Sequence, residues 1–239
     1  MPPEDSRSRI LARIREALRK AAPPRHLNQH GGHPVAASPL RAENSQWLPP
    51  VPDDWEGQVE LFAKNAIALK AEWMPCHSPK ELTENLQQLA ISSRWLQIGT
   101  HSLPFGQEAV DFLSLPQLRT DLPFATQELE RCDVGITSCE CLISQTGSAL
   151  ISSTNSGGRA LSVLPPHHVV IAHKSQLVPD LNEAFRSLRV RYGDNLPPYL
   201  SFITGPSRTG DIERILVLGA HGPKRLSILF ASYSETSIK

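Results

Sequence analysis

Short apolar runs follow one another through the second half of this 239-residue chain, each too short to form a helix of ordinary length. Runs of about four to eight apolar or β-branched residues between turn residues are typical of buried strands. We predict strands at Val134–Ser138, Cys141–Ser144, Ser148–Ser153, Val169–Ala172, Leu200–Thr204, Ile215–Leu218 and Ser227–Ala231. Apolar residues at helical spacing predict helices over 58–72, from a capped start at Ser78 to about Ala90, and over 176–190, with a strand over 95–98. This succession predicts an α/β fold with a mixed, largely parallel sheet that is covered by helices.

The first fifty residues differ from the rest in composition. Ile10, Leu11, Ile14, Ala17 and Leu18 form an apolar stripe opposite a basic face, so residues 1–20 are predicted to form an amphipathic N-terminal helical extension. Residues 21–53 are rich in Pro and Gly and are predicted to be a linker, which leaves 54–239 as the α/β domain. The helix either touches a membrane or a partner, or packs on its own domain or on a second subunit. The absence of aromatic residues from the stripe favours packing.

Composition argues against several classes of protein. Lys plus Arg and Asp plus Glu both number 24, and this balance is not that of a nucleic-acid-binding protein. No apolar run is long enough to span a membrane, and the charged N-terminus does not resemble a secretory signal, so we expect a cytoplasmic protein. The four cysteines include Cys139 and Cys141 in a C-x-C pattern, which is not a common metal or cluster motif. We predict buried reduced thiols, no metal site and no cofactor bound by this chain.

The segment from Leu200 to Glu213 is the strongest candidate for a binding site. It is predicted to form a buried strand, a Gly205-Pro206 turn and a short helix with Ser207 as N-cap. Backbone N–H groups at such a turn, together with Arg208, suit a carboxylate or a phosphate. We therefore predict that Gly205, Ser207, Arg208 and Thr209 contact a small anionic ligand. The alternative is an ordinary helix cap with Arg208 in a structural ion pair.

Three further groups of residues are candidates for binding or catalysis. Gln145, Thr146 and Gly147 are predicted to form a turn between two strands and to contact the same ligand, although Gly147 alone could serve the turn geometry. His221 is the candidate proton-transfer residue because its ordinary pKa lies near neutrality, with Asp211 as the second candidate catalytic residue. The alternative for His221 is a structural hydrogen bond in a Gly-Pro turn. Pro165-Pro166-His167-His168 precedes a strand, where adjacent histidines would face opposite ways, and we predict no metal there.

Several of these segments, taken in order, resemble a known family. They are Val134–Thr137, Gln145–Ser148, Pro165–His168, Ile203–Thr209, Asp211–Glu213 and Leu218–Pro223. In combination they resemble the LUD domain of the lactate utilization protein C family, over roughly residues 55 to 232. The resemblance implies a fold like that of the sugar-phosphate isomerase and CoA-transferase superfamily. It also implies a bacterial L-lactate oxidation system, in which two partner subunits carry iron–sulfur clusters and lactate becomes pyruvate.

One departure from the family matters for chemistry. The family commonly has Glu-Thr-Gly where this chain has Gln145-Thr146-Gly147. Because an amide is neither a base nor a carboxylate nucleophile, the departure excludes a glutamyl thioester at this position. The expectation is a ligand-handling subunit of a lactate-oxidising complex, possessing an anion site around Arg208. The alternatives are a stand-alone isomerase or transferase acting on phosphorylated or CoA-linked acids, and a non-catalytic assembly module. The exact ligand, the electron acceptor and any homo-oligomer are left open.

Overall fold

The computed structural model describes residues 13, 15, 16, 49–212, 215–218 and 222–234, of which 209–212 and 215–218 are described by their backbone alone. The chain divides into two units, residues 1–47 and residues 48–239. The helix predicted over 1–20 and the linker predicted over 21–53 lie almost wholly outside the described residues and stay predictions. The description below concerns the second unit.

A six-stranded parallel sheet forms the centre of this unit. Its strands lie in the order β1, β12, β7, β4, β2, β3, and every neighbouring pair is parallel. Their bounds are Glu72–Cys76 (β1), Ile98–Thr100 (β2), Gln117–Arg119 (β3), Val134–Thr137 (β4), His167–His173 (β7) and Arg225–Ala231 (β12). The predicted mixed α/β class is confirmed.

Helices pack on one face of this sheet, whereas a helix and a second sheet share the other face. The helices are α1 (Trp55–Ala68), α2 (Pro79–Ser93), α3 (Gln107–Phe112), α4 (Thr126–Leu129) and α5 (Leu181–Tyr192). On the first face α2 and α3 bury Leu86 and Val110 against Ile136 and Ile171 of the sheet. On the second face Phe62 of α1 packs in a cluster with sheet residues such as Val170, Ile228 and Phe230. The side-chain alternation of β7 thus supplies both cores.

A smaller, mostly antiparallel sheet lies on the second face. Its strands are β5 (Cys141–Ile143), β6 (Ser148–Ser152), β8 (Leu177–Val178) and β9 (Leu200–Ile203), in the order β8, β5, β6, β9. Leu142, Ala149 and Ile151 join the core next to the parallel sheet, whereas Ile143 and Leu150 pack against Ala184 and Leu188 of α5. Both faces of this sheet are therefore apolar, which explains why its strands lack a polar face in the sequence.

The segment after β9 differs from the prediction. No helix begins at Ser207: β10 (Arg208–Ile212) and β11 (Ile215–Leu218) form an antiparallel hairpin with an irregular register between Thr209 and Ile212. Pairing with β11 outweighs the local cap signal of Ser207, and β-branched residues suit both strands. The strand predicted over 200–204 is present as β9, but its predicted burial is wrong, because β9 is a half-exposed edge strand of the small antiparallel sheet. Its end is consequently not at the carboxyl edge of the parallel sheet.

The ends of two helices differ from their predicted positions by a few residues. The helix predicted from 176 begins at Leu181, because Asp180 caps it and residues 177–178 pair with β5. The helix predicted to reach Glu72 ends at Ala68, and β1 follows it unpredicted. Pro75 lies inside β1, which is tolerated because β1 is an edge strand.

Candidate functional site

The carboxyl ends of the parallel strands meet at one edge of the large sheet, and this edge contains a topological switch point. After β2 the chain enters α3 on the first face, whereas after the neighbouring β4 it enters β5 on the second face. Adjacent strands whose connections leave on opposite sides open a crevice, which is where open α/β sheets bind ligands. The crevice here lies beyond Thr100 and Thr137.

A cavity of about 420 Å³ lies at this carboxyl edge. Residues from four separate segments line it: Pro104, Phe105, Asn155, His173, Ser175, Gln176, Arg191 and Tyr192. The lining combines one guanidinium with an imidazole, two amides and two hydroxyls, and none of these described lining residues is acidic. Such a set suits a small anion with an apolar part, which Phe105 and Pro104 would contact. We name this cavity the carboxyl-edge cavity.

A buried carboxylate orients the cation of this cavity. Glu140 is only 5% exposed, and it accepts hydrogen bonds from Ser152 Oγ at 2.5 Å, from Tyr192 Oη at 2.7 Å and from Arg191 Nη1. Burial, followed by the bond to Glu140, raises the pKa of Tyr192, so its hydroxyl stays protonated. A guanidinium has five N–H donors. Because Arg191 is half exposed, it keeps donors for a ligand while Glu140 holds it in place.

The tautomer of His173 follows from its two hydrogen-bond partners. Its Nε2 lies 3.0 Å from the carbonyl oxygen of Tyr233, which can only accept, so Nε2 carries the proton. Its Nδ1 is then an acceptor and lies 2.8 Å from Ser175 Oγ. The backbone N–H of His173 donates to Gln176 Oε1 at 2.8 Å, which positions the Gln176 amide. His173 at the end of β7 is therefore a fixed wall of the cavity.

The loop after β6 closes over the switch point. Its Gly157 has φ +65°, and an added Cβ would lie 2.5 Å from Thr120 Oγ1 and 2.7 Å from His101 Cβ, so only glycine fits this approach. Thr120 Oγ1 donates to Gly157 O at 2.7 Å. His101 is 5% exposed and its Nε2 accepts a long bond from Ser138 N at 3.4 Å. Burial lowers the pKa of His101, which keeps the ring neutral.

The structure brings together the two turns that the sequence predicted to share a ligand. Ser148 Oγ and Thr204 Oγ1 are 2.8 Å apart, which places Gly147 beside Gly205. Both glycines approach the last turn of α1. A Cβ on Gly147 would lie 2.6 Å from Ala66 N, and a Cβ on Gly205 would lie 2.5 Å from Leu69 O. The two turns thus seat α1 closely against the small sheet.

Polar groups of the first turn confirm its geometry and leave its ligand role a prediction. Residues 144–147 form the predicted turn between β5 and β6, with Gly147 at φ +65°. Gln145 Nε2 donates to Pro49 O at 3.0 Å, and Asn65 Nδ2 donates to the carbonyls of Ser144 and Gln145. The Thr146 hydroxyl is buried and has no partner.

Arg208 sits at the other side of the same helix end. Its Nη2 donates to Leu69 O, the carbonyl that follows α1, and the residue is exposed. A cation at a helix C-terminus offsets the negative end of the helix dipole. This contact matches the structural alternative for Arg208, although with a carbonyl and not an ion pair. Ser207 N donates to Pro223 O at 2.9 Å, so this N–H group is already bonded and is not available to an anion.

The two candidate catalytic residues cannot be placed by their side chains. His221 lies outside the described residues, and of Asp211 and Thr209 only the backbone, in β10, is described. Asp211 is therefore in a strand and not in a helix. The roles assigned to these residues stay predictions.

Comparison with known proteins decides the family. A family model for the LUD domain matches residues 105–231, more than half of the chain. The chain belongs to the LUD domain family. The matched residues include β4 to β12 and every lining residue of the carboxyl-edge cavity except Pro104.

Curated relatives of this LUD domain share one name. Lactate utilization protein C of Halalkalibacterium halodurans is 39% identical over 101 residues, which are 41% of this chain and 44% of that protein. The protein of the same name from Bacillus subtilis is 34% identical over 108 residues, 44% of this chain and 45% of that protein. This chain spans about half the length of the curated relatives that it matches. A crystal structure of a DUF162 family protein from Deinococcus radiodurans, 22% identical, superposes over 76% of this chain and 100% of that one with a TM-score of 0.59, which shows a shared fold.

In this LUD domain Glu140 lies five residues before Gln145 and acts as a hydrogen-bond acceptor. All of its described hydrogen bonds are accepted from Ser152, Arg191 and Tyr192, so both oxygens are occupied. The LUD domain therefore contains a carboxylate that orients two lining residues of the cavity, Arg191 and Tyr192.

Sequence reasoning missed the side chains that line the carboxyl-edge cavity. His173 ends a strand, so the end of that strand was the available signal. Arg191 is in the last turn of α5, where a cation is expected for the helix dipole alone, and nothing local marks it as a site residue.

All four cysteines are free and buried, as predicted, and burial raises the pKa of Cys132 to about 11 and that of Cys141 to about 12. Within the described ranges no group of three His, Cys, Asp or Glu side chains is arranged to hold a metal ion. No helix in the part of the LUD domain that the structure describes is both long and apolar enough to cross a membrane.

Proposed function

We propose that this chain takes part in bacterial lactate utilization as a subunit that holds a small anionic ligand and works with two iron–sulfur proteins in the oxidation of L-lactate to pyruvate. The oxidation releases two electrons and two protons, and in this proposal the electrons pass to clusters in the partner proteins. The role of this chain is to bind and orient a carboxylate. The single observation that supports the proposal most is the LUD domain match over 105–231, with relatives named lactate utilization protein C.

We place the ligand in the carboxyl-edge cavity and not at the turn around Arg208. Arg191 reaches the cavity with an oriented guanidinium, and the amide of Gln176 and the hydroxyl of Ser175 lie in the same lining. Arg208, in contrast, donates to the carbonyl end of α1, where the helix dipole repels an anion. Electrostatics therefore favour Arg191 as the carboxylate partner.

The test is lactate-dependent dye reduction by the full chain, alone and co-purified with its native partners. We expect activity only with the partners. Arg191→Lys keeps the charge but loses the fork geometry that holds both Glu140 and a carboxylate, and we expect it to raise the KM for lactate at least tenfold in an assembled complex. Arg208→Lys is the matched control at the other predicted site and is expected to leave the KM within twofold.

If Arg208→Lys raised the KM at least tenfold and Arg191→Lys left it within twofold, the result would favour a ligand at the Arg208 turn. Turnover of phosphorylated or CoA-linked acids by the chain alone would instead support an isomerase or transferase. Loss of the complex on deletion of residues 1–20, with no effect of either arginine variant, would support an assembly module.

A further inference from the structure

The carboxyl-edge cavity is larger than lactate requires. An engineered cavity of about 150 Å³ holds one benzene molecule, and lactate has the same number of non-hydrogen atoms as benzene. The carboxyl-edge cavity has a volume of about 420 Å³, so lactate alone would leave more than half of it to water. Because small-molecule sites usually bury most of the surface of their ligand, this volume indicates a substituent larger than the methyl group of lactate.

An aromatic side chain supplies the apolar wall of this cavity. The ring centroid of Phe105 is 5.2 Å from that of His173 and 5.9 Å from that of Tyr233, and both ring pairs are tilted. These distances lie in the range that aromatic pairs favour, so the Phe105 ring is held in place without a ligand. Pro104 extends the apolar wall. A flat apolar group on the ligand suits a wall of this kind.

Asn155 offers a hydrogen-bond acceptor to a ligand in the same cavity. Its Nδ2 donates to Cys139 O at 3.1 Å. A carbonyl oxygen only accepts, so the amide nitrogen faces Cys139 and the other amide atom, Oδ1, points away from it. Among the described residues none donates to Oδ1, and this atom is not fully buried. It can therefore accept from a ligand hydroxyl.

Two other lining residues retain hydrogen-bond donors. Gln176 uses its Oε1 to accept from His173 N at 2.8 Å and one amide hydrogen to bond Cys139 O, which leaves its second amide hydrogen. Arg191 keeps further N–H groups beside the one that it donates to Glu140. The cavity thus combines donors for a carboxylate with an acceptor for a hydroxyl, and a 2-hydroxy carboxylate has both complementary groups.

We propose that the carboxyl-edge cavity binds 2-hydroxy carboxylates that have a ring in their side chain. The carboxylate pairs with Arg191, the hydroxyl donates to Asn155 Oδ1, and the ring contacts Phe105. This inference rests on the proposed function, which places a carboxylate at Arg191, and it assigns the substrate class of that site. L-lactate is then a smaller and weaker ligand of the same cavity.

Calorimetry on the full chain alone tests the substrate class, with L-3-phenyllactate as the probe. L-lactate is the comparison that lacks the ring, and 3-phenylpropionate is the comparison that lacks the hydroxyl. We expect one phenyllactate to bind per chain, about tenfold more tightly than either comparison, because each of them leaves a lining group without its contact. Absence of saturable phenyllactate binding, or equal binding of either comparison, would overturn the proposal.

Two variants locate the contacts. Phe105→Leu is expected to weaken phenyllactate binding about fivefold, because the aromatic contact is lost. Phe185→Leu is the matched control, since Phe185 is also partly exposed and also contacts one aromatic ring, that of Phe202, yet does not line the cavity. Asn155→Ala should reduce the affinity for phenyllactate to that for 3-phenylpropionate and leave the latter unchanged. Equal losses for both ligands would contradict the role of Asn155.

The binding assay requires neither partner proteins nor turnover, so it separates this inference from the proposed function. Selective binding of phenyllactate, without lactate-dependent dye reduction by the assembled complex, would support the substrate class and count against the proposed oxidation of L-lactate. Dye reduction with lactate, without preferential binding of phenyllactate, would overturn the inference and leave the proposed function in place.

Discussion

Single atoms decide how closely α1 approaches the small sheet. Gly147 and Gly205 both have positive φ. Both also lie so close to backbone atoms of α1 or its C-terminal end that no space is left for a Cβ atom. The backbone conformation and the close approach demand glycine independently. Neither requirement concerns a ligand, so the Thr-Gly sequence at this turn has a structural reason that holds with or without binding.

Gly147→Ala should be one of the most damaging single substitutions. The left-handed conformation costs Ala about 1–2 kcal/mol, and the Cβ at 2.6 Å from Ala66 N forces a shift of the backbone, for a total loss of about 3–4 kcal/mol. Urea unfolding followed by circular dichroism measures it. Gly158→Ala is the control, because φ is +93° there but nothing lies within 4 Å, and its cost should be about 1–2 kcal/mol. Equal losses in the two variants would show that the contact with α1 is unimportant.

Glu140→Gln should destabilise the protein by about 2–3 kcal/mol, because three donors then meet an amide that offers one acceptor oxygen and leaves Arg191 unpaired. The free energy of unfolding in urea measures it. Glu183→Gln on the same helix as Arg191 is the control: its ion pair with Arg186 is exposed, and the loss should stay below about 1 kcal/mol. A loss below that of the control would mean that Glu140 does not hold Arg191.

The N-cap residues fix where two helices, α2 and α5, begin. Ser78 Oγ accepts from Glu81 N at 3.2 Å, Pro79 occupies the first position of α2, and Asp180 caps α5 in the same way. The segment after Ser207 does not form the helix that this N-cap residue predicted. It forms the strand β10 instead, because its backbone pairs with β11. A cap residue is a sufficient predictor only where no strand partner competes.

Ser78→Ala should cost about 1 kcal/mol by freeing the N–H of Glu81 at the start of α2. The thermal midpoint of unfolding and the urea midpoint should fall together. Ser78→Asp retains an acceptor at the same position and should keep nearly the full stability. If both variants lose stability equally, the cap bond contributes nothing and α2 is held by Leu82 and Leu86 alone.

The molecule as a whole should be sensitive to mild acid. Burial is the first cause that lowers the pKa of His167 to about 4 and that of His168 to about 3, whereas an unfolded histidine titrates near 6.5. Below pH 6.5 the unfolded chain therefore takes up protons that the folded chain refuses. Stability is complete above pH 6.5 and falls as the pH decreases, by about 1.4 kcal/mol per pH unit for each histidine, until the folded pKa is reached.

Urea midpoints at pH 7.5, 6 and 5 measure this loss, which should be on the order of 4 kcal/mol between pH 7.5 and pH 5. His168→Phe should lower the slope by about one proton. His77→Gln, at an exposed position, should leave the slope unchanged. An equal slope in all three proteins would mean that His168 takes up its proton near pH 6.5 in the folded protein, as in the unfolded chain.

Local chemistry in the sequence determined several elements of this protein. The strands at 134–137, 141–143, 148–152 and 215–218, the turn at 144–147 and the start of α2 follow from apolar runs, glycine and caps within a few residues. These features have local causes, so one sequence is enough to predict them. The mixed α/β class also followed, because it depends on the alternation of elements and not on their order in space.

Tertiary structure alone decided which residues line the carboxyl-edge cavity. The order β1-β12-β7-β4-β2-β3 places residues 104–105, 155, 173–176 and 191–192 around one cavity, and no local pattern connects them. The same non-local pairing turned the segment after Ser207 into a hairpin and directed Arg208 to the end of α1. Strand pairing and side-chain burial are free energies between distant residues, and they outweigh the cap and turn preferences by which the sequence predicted the site.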